Sequence, residues 1–158
     1  MAMTMKVQGM DELSEKLNKL GNQAEGVAAQ ALYKGAGVMA DAFSNASKNI
    51  RAAKFHYTVF GKRLPSLEER AAVAGKSGIA TFDKNGSEVN TVVGFGNAGY
   101  VNIGGKTKAV RQIANAINSG TSFMDKQPVF RQAISSARGA ASGAIVARAD
   151  ELIEQITK

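Results

Sequence analysis

Gly120-Thr121-Ser122-Phe123-Met124-Asp125-Lys126-Gln127-Pro128-Val129-Phe130-Arg131-Gln132-Ala133 reads as a polar turn that feeds a helix. Gly120 and the Thr-Ser pair interrupt whatever precedes them. Pro128 suits the first turn of a helix, where its missing N–H is no loss. Beyond it Phe130, Ile134, Ala137, Ala141, Ile145, Ala149, Leu152 and Ile156 recur at helical spacing. A long helix is therefore expected to start near Gln127 or Pro128 and to run almost to the last residue. The side chains of this stretch form no nucleophile–base pairing. They read as packing and turn chemistry.

At the other end of the chain, Leu13, Leu17 and Leu20 make a second helical stripe, with Asp11 as its expected N-cap and Glu12 and Glu15 placed for the helix dipole. The pattern resumes with Ala28, Leu32, Ala36, Met39, Phe43, Ala46 and Ile50. Residues 11 to about 50 thus read as one long helix, or as two broken near Gly21-Asn22. Gly26, Gly35 and Gly37 lower its propensity, or else let a second helix approach closely. A short extended segment, Thr4 to Gln8, precedes it.

The middle is mixed. Pro65 and the capping box Ser66-Leu67-Glu68-Glu69 predict a short helix over 66–74, ended by Gly75. Ile79–Phe82 and Val89–Phe95 are β-type runs around Asn85-Gly86, which predicts an antiparallel hairpin near 79–95. A third strand is expected at Tyr100–Ile103, and Thr107 is expected to cap a helix of about 108–118. The class is α+β: two long terminal helices packed on a small antiparallel sheet, with short extra helices. The 158 residues read as one domain, in which 51–78 is an inserted or mobile basic segment.

Composition narrows the chemistry. The chain has no cysteine, so disulfides, thiol catalysis and cysteine-held metals are excluded. Gly94-Phe95-Gly96-Asn97-Ala98-Gly99 matches a dinucleotide pattern, but no helix pattern follows and no acidic residue lies between Glu88 and Asp125. Gly75-Lys76-Ser77 lacks the upstream glycine of a phosphate loop, because Arg70 stands there. His56 is the single histidine, and no G-x-S-x-G elbow occurs. Glu68 and Glu69 are explained by the helix dipole. No catalytic residue, cofactor site or metal site is expected. No apolar run approaches a membrane span, and the N-terminus lacks a signal-peptide core.

Net charge is +7, which favours polyanionic partners. Lys48, Arg51, Lys54, Lys62, Arg63, Arg70 and Lys76 are opposed within their segment by Glu68 and Glu69 alone, and Phe55, Tyr57 and Phe60 are interleaved. Basic residues with aromatics suit phosphate-directed, sequence-independent contact with nucleic acid. The plainer reading is a solvated loop anchored by its aromatics.

Two regions together resemble the Hong Kong 97-type tail-component family of long-tailed bacteriophages, whose members are neck or tail-completion proteins. One is Val7-Gln8-Gly9-Met10-Asp11-Glu12-Leu13 with the alanine-rich helix after it. The other is the corner, where Gly120, Thr121, Met124, Gln127, Pro128, Arg131 and Ala133 fall in place and the aromatic stands at Phe130, one position late. The likeness covers the two ends, about half of the chain. Between Lys54 and Gly78 the chain holds no turn of the family's proline and Thr-Gly type, and a short capped helix is inserted there. The resemblance implies a structural virion protein with no enzymatic activity, assembled in the bacterial host cytoplasm. It would form a homo-oligomeric ring, six-fold related, at the head–tail junction. Its neighbours would be the head-closure or adaptor layer and the tail tube or tail terminator, with non-specific double-stranded DNA in the lumen. The seven basic residues from Lys48 to Lys76 become candidates for the lumen or for contact between layers. The alternatives are a free-standing, non-specific nucleic-acid-binding protein that uses segment 48–76 and, third, a small hydrolase or nuclease.

Overall fold

The computed structural model describes residues 10–54, 58–59, 61–81, 83–85, 88–96 and 98–158. The extended segment expected at Thr4–Gln8, His56 with its aromatic neighbours Phe55, Tyr57 and Phe60, and Gly86 lie outside the described residues. Along the chain run α1 (Met10–Lys48), β1 (Thr58–Val59), β2 (Lys62–Arg63), α2 (Leu67–Val73), β3 (Gly78–Ile79) and β4 (Asp83–Asn85). Then come β5 (Glu88–Asn90), β6 (Val93–Gly94), β7 (Tyr100–Ile103), β8 (Lys106–Ala109), α3 (Val110–Ser119) and α4 (Val129–Thr157). The class is α+β, with long helices at both ends of the chain and two-stranded antiparallel ladders between them: β1–β2, β3–β6, β4–β5 and β7–β8.

α1 is one uninterrupted helix of 39 residues, with no break at Gly21. At 1.5 Å per residue it is about 58 Å long. It includes Met10 and Asp11, so Asp11 lies within the helix and is not its N-cap. α1 and α4 lie antiparallel: Asn49 is beside Val129, Gln30 beside Arg148, and Gln23 beside Gln155. Gly35 is where they come closest. A Cβ there would meet the Ile145 side chain (2.7 Å from Cδ1) and the Ala141 carbonyl oxygen at 3.0 Å. Gly26 and Gly37 have no such contact, so only one of the three glycines serves close packing.

The core lies at one end of this helical pair. Phe43 of α1, Phe95 and Phe130 of α4 form an aromatic trio with centroids 5.0–5.8 Å apart. Around it sit Ile50, Val73 of α2, Met124, and Val110, Ile113, Ala114 and Ile117 along one face of α3. Phe95 comes from the glycine-rich Gly94–Gly99 run, which therefore acts as a core anchor. The molecule is a packed head carrying a two-helix arm.

The hairpin region differs from expectation in its details. Asn85, expected in the turn, pairs with Glu88 and so ends a strand. Three residues separate Ile79 from Asp83 and two separate Asn90 from Val93, so the register shifts by one between the two ladders. Thr107 does not cap α3; it stands in β8 opposite Asn102. Gly104 (φ 59°) and Gly105 (φ 75°) are the reason, because positive φ at both central positions makes a tight hairpin turn. That turn consumes the residues that the helical reading had assigned to a cap, and α3 starts at Val110.

Candidate functional site

The corner Gly120–Ala133 is a clamp, and each residue of the pattern has a mechanical reason. Gly120 has φ 74°, and a Cβ there would touch the Lys126 backbone. The Thr121 hydroxyl accepts from the Phe123 and Met124 amides at 3.3 and 2.9 Å, closing the turn. Met124 is 2% exposed and fills the core. Gln127, 4% exposed, makes a paired hydrogen bond with a residue far away in sequence. Its Oε1 accepts from the Arg51 amide at 2.8 Å, and its Nε2 donates to the Arg51 carbonyl at 2.9 Å. One side chain thus completes the backbone just past the end of α1 as a neighbouring strand would. Pro128 precedes α4, Phe130 is in the aromatic trio, the Arg131 amide donates to Asn118 Oδ1, and Ala133 packs against the core.

A second knot ties the basic segment to this clamp. Ser66 and Glu69 form the expected capping box at the start of α2. Glu69 does more than complement the helix dipole. It is buried, it receives both Arg63 guanidinium nitrogens at 2.6 and 2.8 Å, and it is reached by Lys108 Nζ at 3.2 Å. Burial pushes the Glu69 carboxyl up, but bonds from Arg63, the Ser66 amide and Lys108 outweigh it and hold its pKa down to about 2. Arg63 also lies over the Phe123 ring at 5.7 Å. Its backbone binds both sides of Met124: the Arg63 amide donates to the Phe123 carbonyl and the Asp125 amide donates to the Arg63 carbonyl, each at 2.9 Å. Ala53 joins on the other side through Pro65. Segments 51–54, 61–66 and 121–127 are therefore laced together.

The seven sequence-predicted basic residues divide on this frame. Arg63 is committed to Glu69. Lys48 is exposed and its ammonium donates to Asn45. Arg51, Lys54, Lys62 and Lys76 are exposed, and Arg70 is half-buried. The Gln127 side chain holds Arg51 at this corner, Lys62 precedes Arg63 on the strand that pairs beside Met124, and Lys126, also exposed, is a corner cation that sequence reading passed over. Glu69 was likewise missed as a hub; its place as the last residue of the capping box was the available signal. Among the described residues no group of three or more His, Cys, Asp or Glu is placed to hold a metal, and no helix is long and apolar enough to cross a membrane.

Charge follows the architecture. The head, residues 35–141, carries fourteen Lys or Arg against six Asp or Glu. The arm beyond the Gly35–Ala141 contact, residues 10–34 and 142–158, carries five against seven. The positive excess is thus confined to the packed end. The chain matches no family model, no curated protein and no solved structure at a significant level.

Proposed function

We propose that this chain is a structural virion protein of a phage neck or tail-completion ring, joining the head connector to the tail tube while DNA passes through. The observation that carries this reading is the partition of charge: a cationic head built on a locked corner, and a near-neutral helical arm. A head with a net excess of positive charge suits a lumen filled with phosphate, because its attraction for DNA needs no base contact. The near-neutral arm suits protein neighbours. The Gly120–Ala133 pattern that carries the family resemblance acts as a clamp, which fits a scaffold role and calls for no catalytic group. The ring would be homo-oligomeric, flanked by head-closure and tail proteins. Gold-labelled antibody on purified particles tests the reading. Label at the capsid–tail junction is expected; particles without this polypeptide overturn it.

The second reading, a free-standing nucleic-acid-binding protein, draws on the exposed cations around the corner, Arg51, Lys54, Lys62 and Lys126. Salt-dependent binding of duplex DNA by the isolated monomer would favour it. On either reading, Lys54→Glu with Lys62→Glu should weaken DNA binding equally for all sequences. The salt slope should fall by about 0.9 for each phosphate that is no longer neutralised. Arg63→Glu should instead unfold the head, because Arg63 neutralises Glu69.

A further inference from the structure

The aromatic trio is not sealed on every side. A recess of about 240 Å³ reaches it from the surface, between α3 and the first turns of α4. Phe43, Phe95, Phe130 and Ala114 form its floor, and Asn115, Asn118, Arg131 and Ile134 form its rim. Protein interiors keep few voids larger than a water molecule, so a gap that reaches the core rings leaves apolar surface wet.

The rim is arranged for an anion. Asn118 Oδ1 already accepts from the Arg131 amide at 3.3 Å, which leaves the Asn118 side-chain nitrogen to donate. Arg111 stands four residues before Asn115 and Arg138 four after Ile134, each one turn away on the same helix face. Among the described residues the guanidinium groups of Arg111, Arg131 and Arg138 have no ion-pair partner. Neither α3 nor α4 as far as Ala149 contains an Asp or Glu. Asp41 of α1 is two residues from Phe43 and therefore on another face of its helix. None of these three arginines is among the seven cations that sequence reading singled out.

We propose that this recess binds an apolar side chain with a neighbouring carboxylate, carried by a partner protein. The floor takes the apolar group. Arg131 takes the carboxylate in its two-pronged guanidinium, beside the Asn118 amide. Size points to an anchor residue on a larger partner. Sites that enclose a whole small molecule run to about 300–1,000 Å³, and this one is smaller. Interfaces are anchored by single large side chains seated in pockets of this kind. The angled floor disfavours a nucleobase. The Phe95 ring stands at 74° to Phe43 and 67° to Phe130, so no broad flat face is offered for stacking. An edge-to-face aromatic group fits such a floor. The site stands apart from the neck reading, and its test decides only what the head can hold.

The probe is the capped tetrapeptide acetyl-Gly-Phe-Asp-Gly-amide, titrated into the full chain and followed by NMR. Saturable shifts are expected at the Asn115, Asn118 and Arg131 amides and the Ile134 methyls. The neutral peptide with Asn in place of Asp should bind about five-fold more weakly, the value of a well-placed exposed ion pair. Arg131→Gln should remove that discrimination while leaving the melting temperature unchanged. Lys76→Gln, a surface cation outside the recess, should leave it intact. No saturable shift at these four residues, equal affinity for the Asp and Asn peptides, or full discrimination in Arg131→Gln would overturn the proposal. Thymidine monophosphate shifting the same four residues more tightly than the peptide would also overturn it, and would assign the recess to nucleic acid.

Discussion

Glu69 and Gln127 show how single side chains decide whether the head exists. Glu69 is the anion on which Arg63, Lys108 and the α2 cap converge. Its folded pKa of about 2 lies below the ordinary 4.5, so its contribution to stability is complete above about pH 5. It is lost as pH falls from there toward 2. Urea titrations at stepped pH should show this loss in the native chain and a flatter profile in Glu69→Gln. That variant should also be about 3–5 kcal/mol less stable at neutral pH, because Arg63 is left without its partner. Gln127→Ala strands the Arg51 amide and carbonyl. A loss of about 2–4 kcal/mol is expected in the same titration, since each unsatisfied buried group costs about 1–3 kcal/mol. The capping box was legible from Ser66 and Glu69 alone, because its partners lie three residues apart. The Arg51–Gln127 bond spans 76 positions, and no local pattern announces it.

Among the elements, helices whose apolar spacing is long and regular were legible, and ladders two to four residues long were less so. α2 and α4 begin where capping and proline signals put them. α3 did not, because the Gly104-Gly105 turn captured the residues read as its cap. The buried line of the α1–α4 contact also runs differently from the sequence stripe. It passes through Val27, Ala31 and Gly35, and Ala28 and Leu32 flank it. A glycine carries no hydropathy signal, so periodicity overlooked the position where the helices meet. Gly35→Val should force Ile145 aside and press on the Ala141 carbonyl. Overpacking of this kind costs about 1–3 kcal/mol, readable as a lower melting temperature with helix content retained.

For the whole molecule, the sequence told the class and the net charge but not their distribution. Only the fold assigns the positive excess to one end, because residues from both halves of the chain meet there. It also places the aromatic trio and the laced segments at that same end, far from the tip of α1. Cohesion therefore falls off along the arm. Amide hydrogen exchange should be slowest around Phe43, Ile117 and Phe130 and should quicken steadily toward Leu17. Uniform protection along α1 would contradict this picture. A rod anchored at one extremity and loosely held at the other comes apart from its far end, so thermal agitation releases that end long before it melts the anchor.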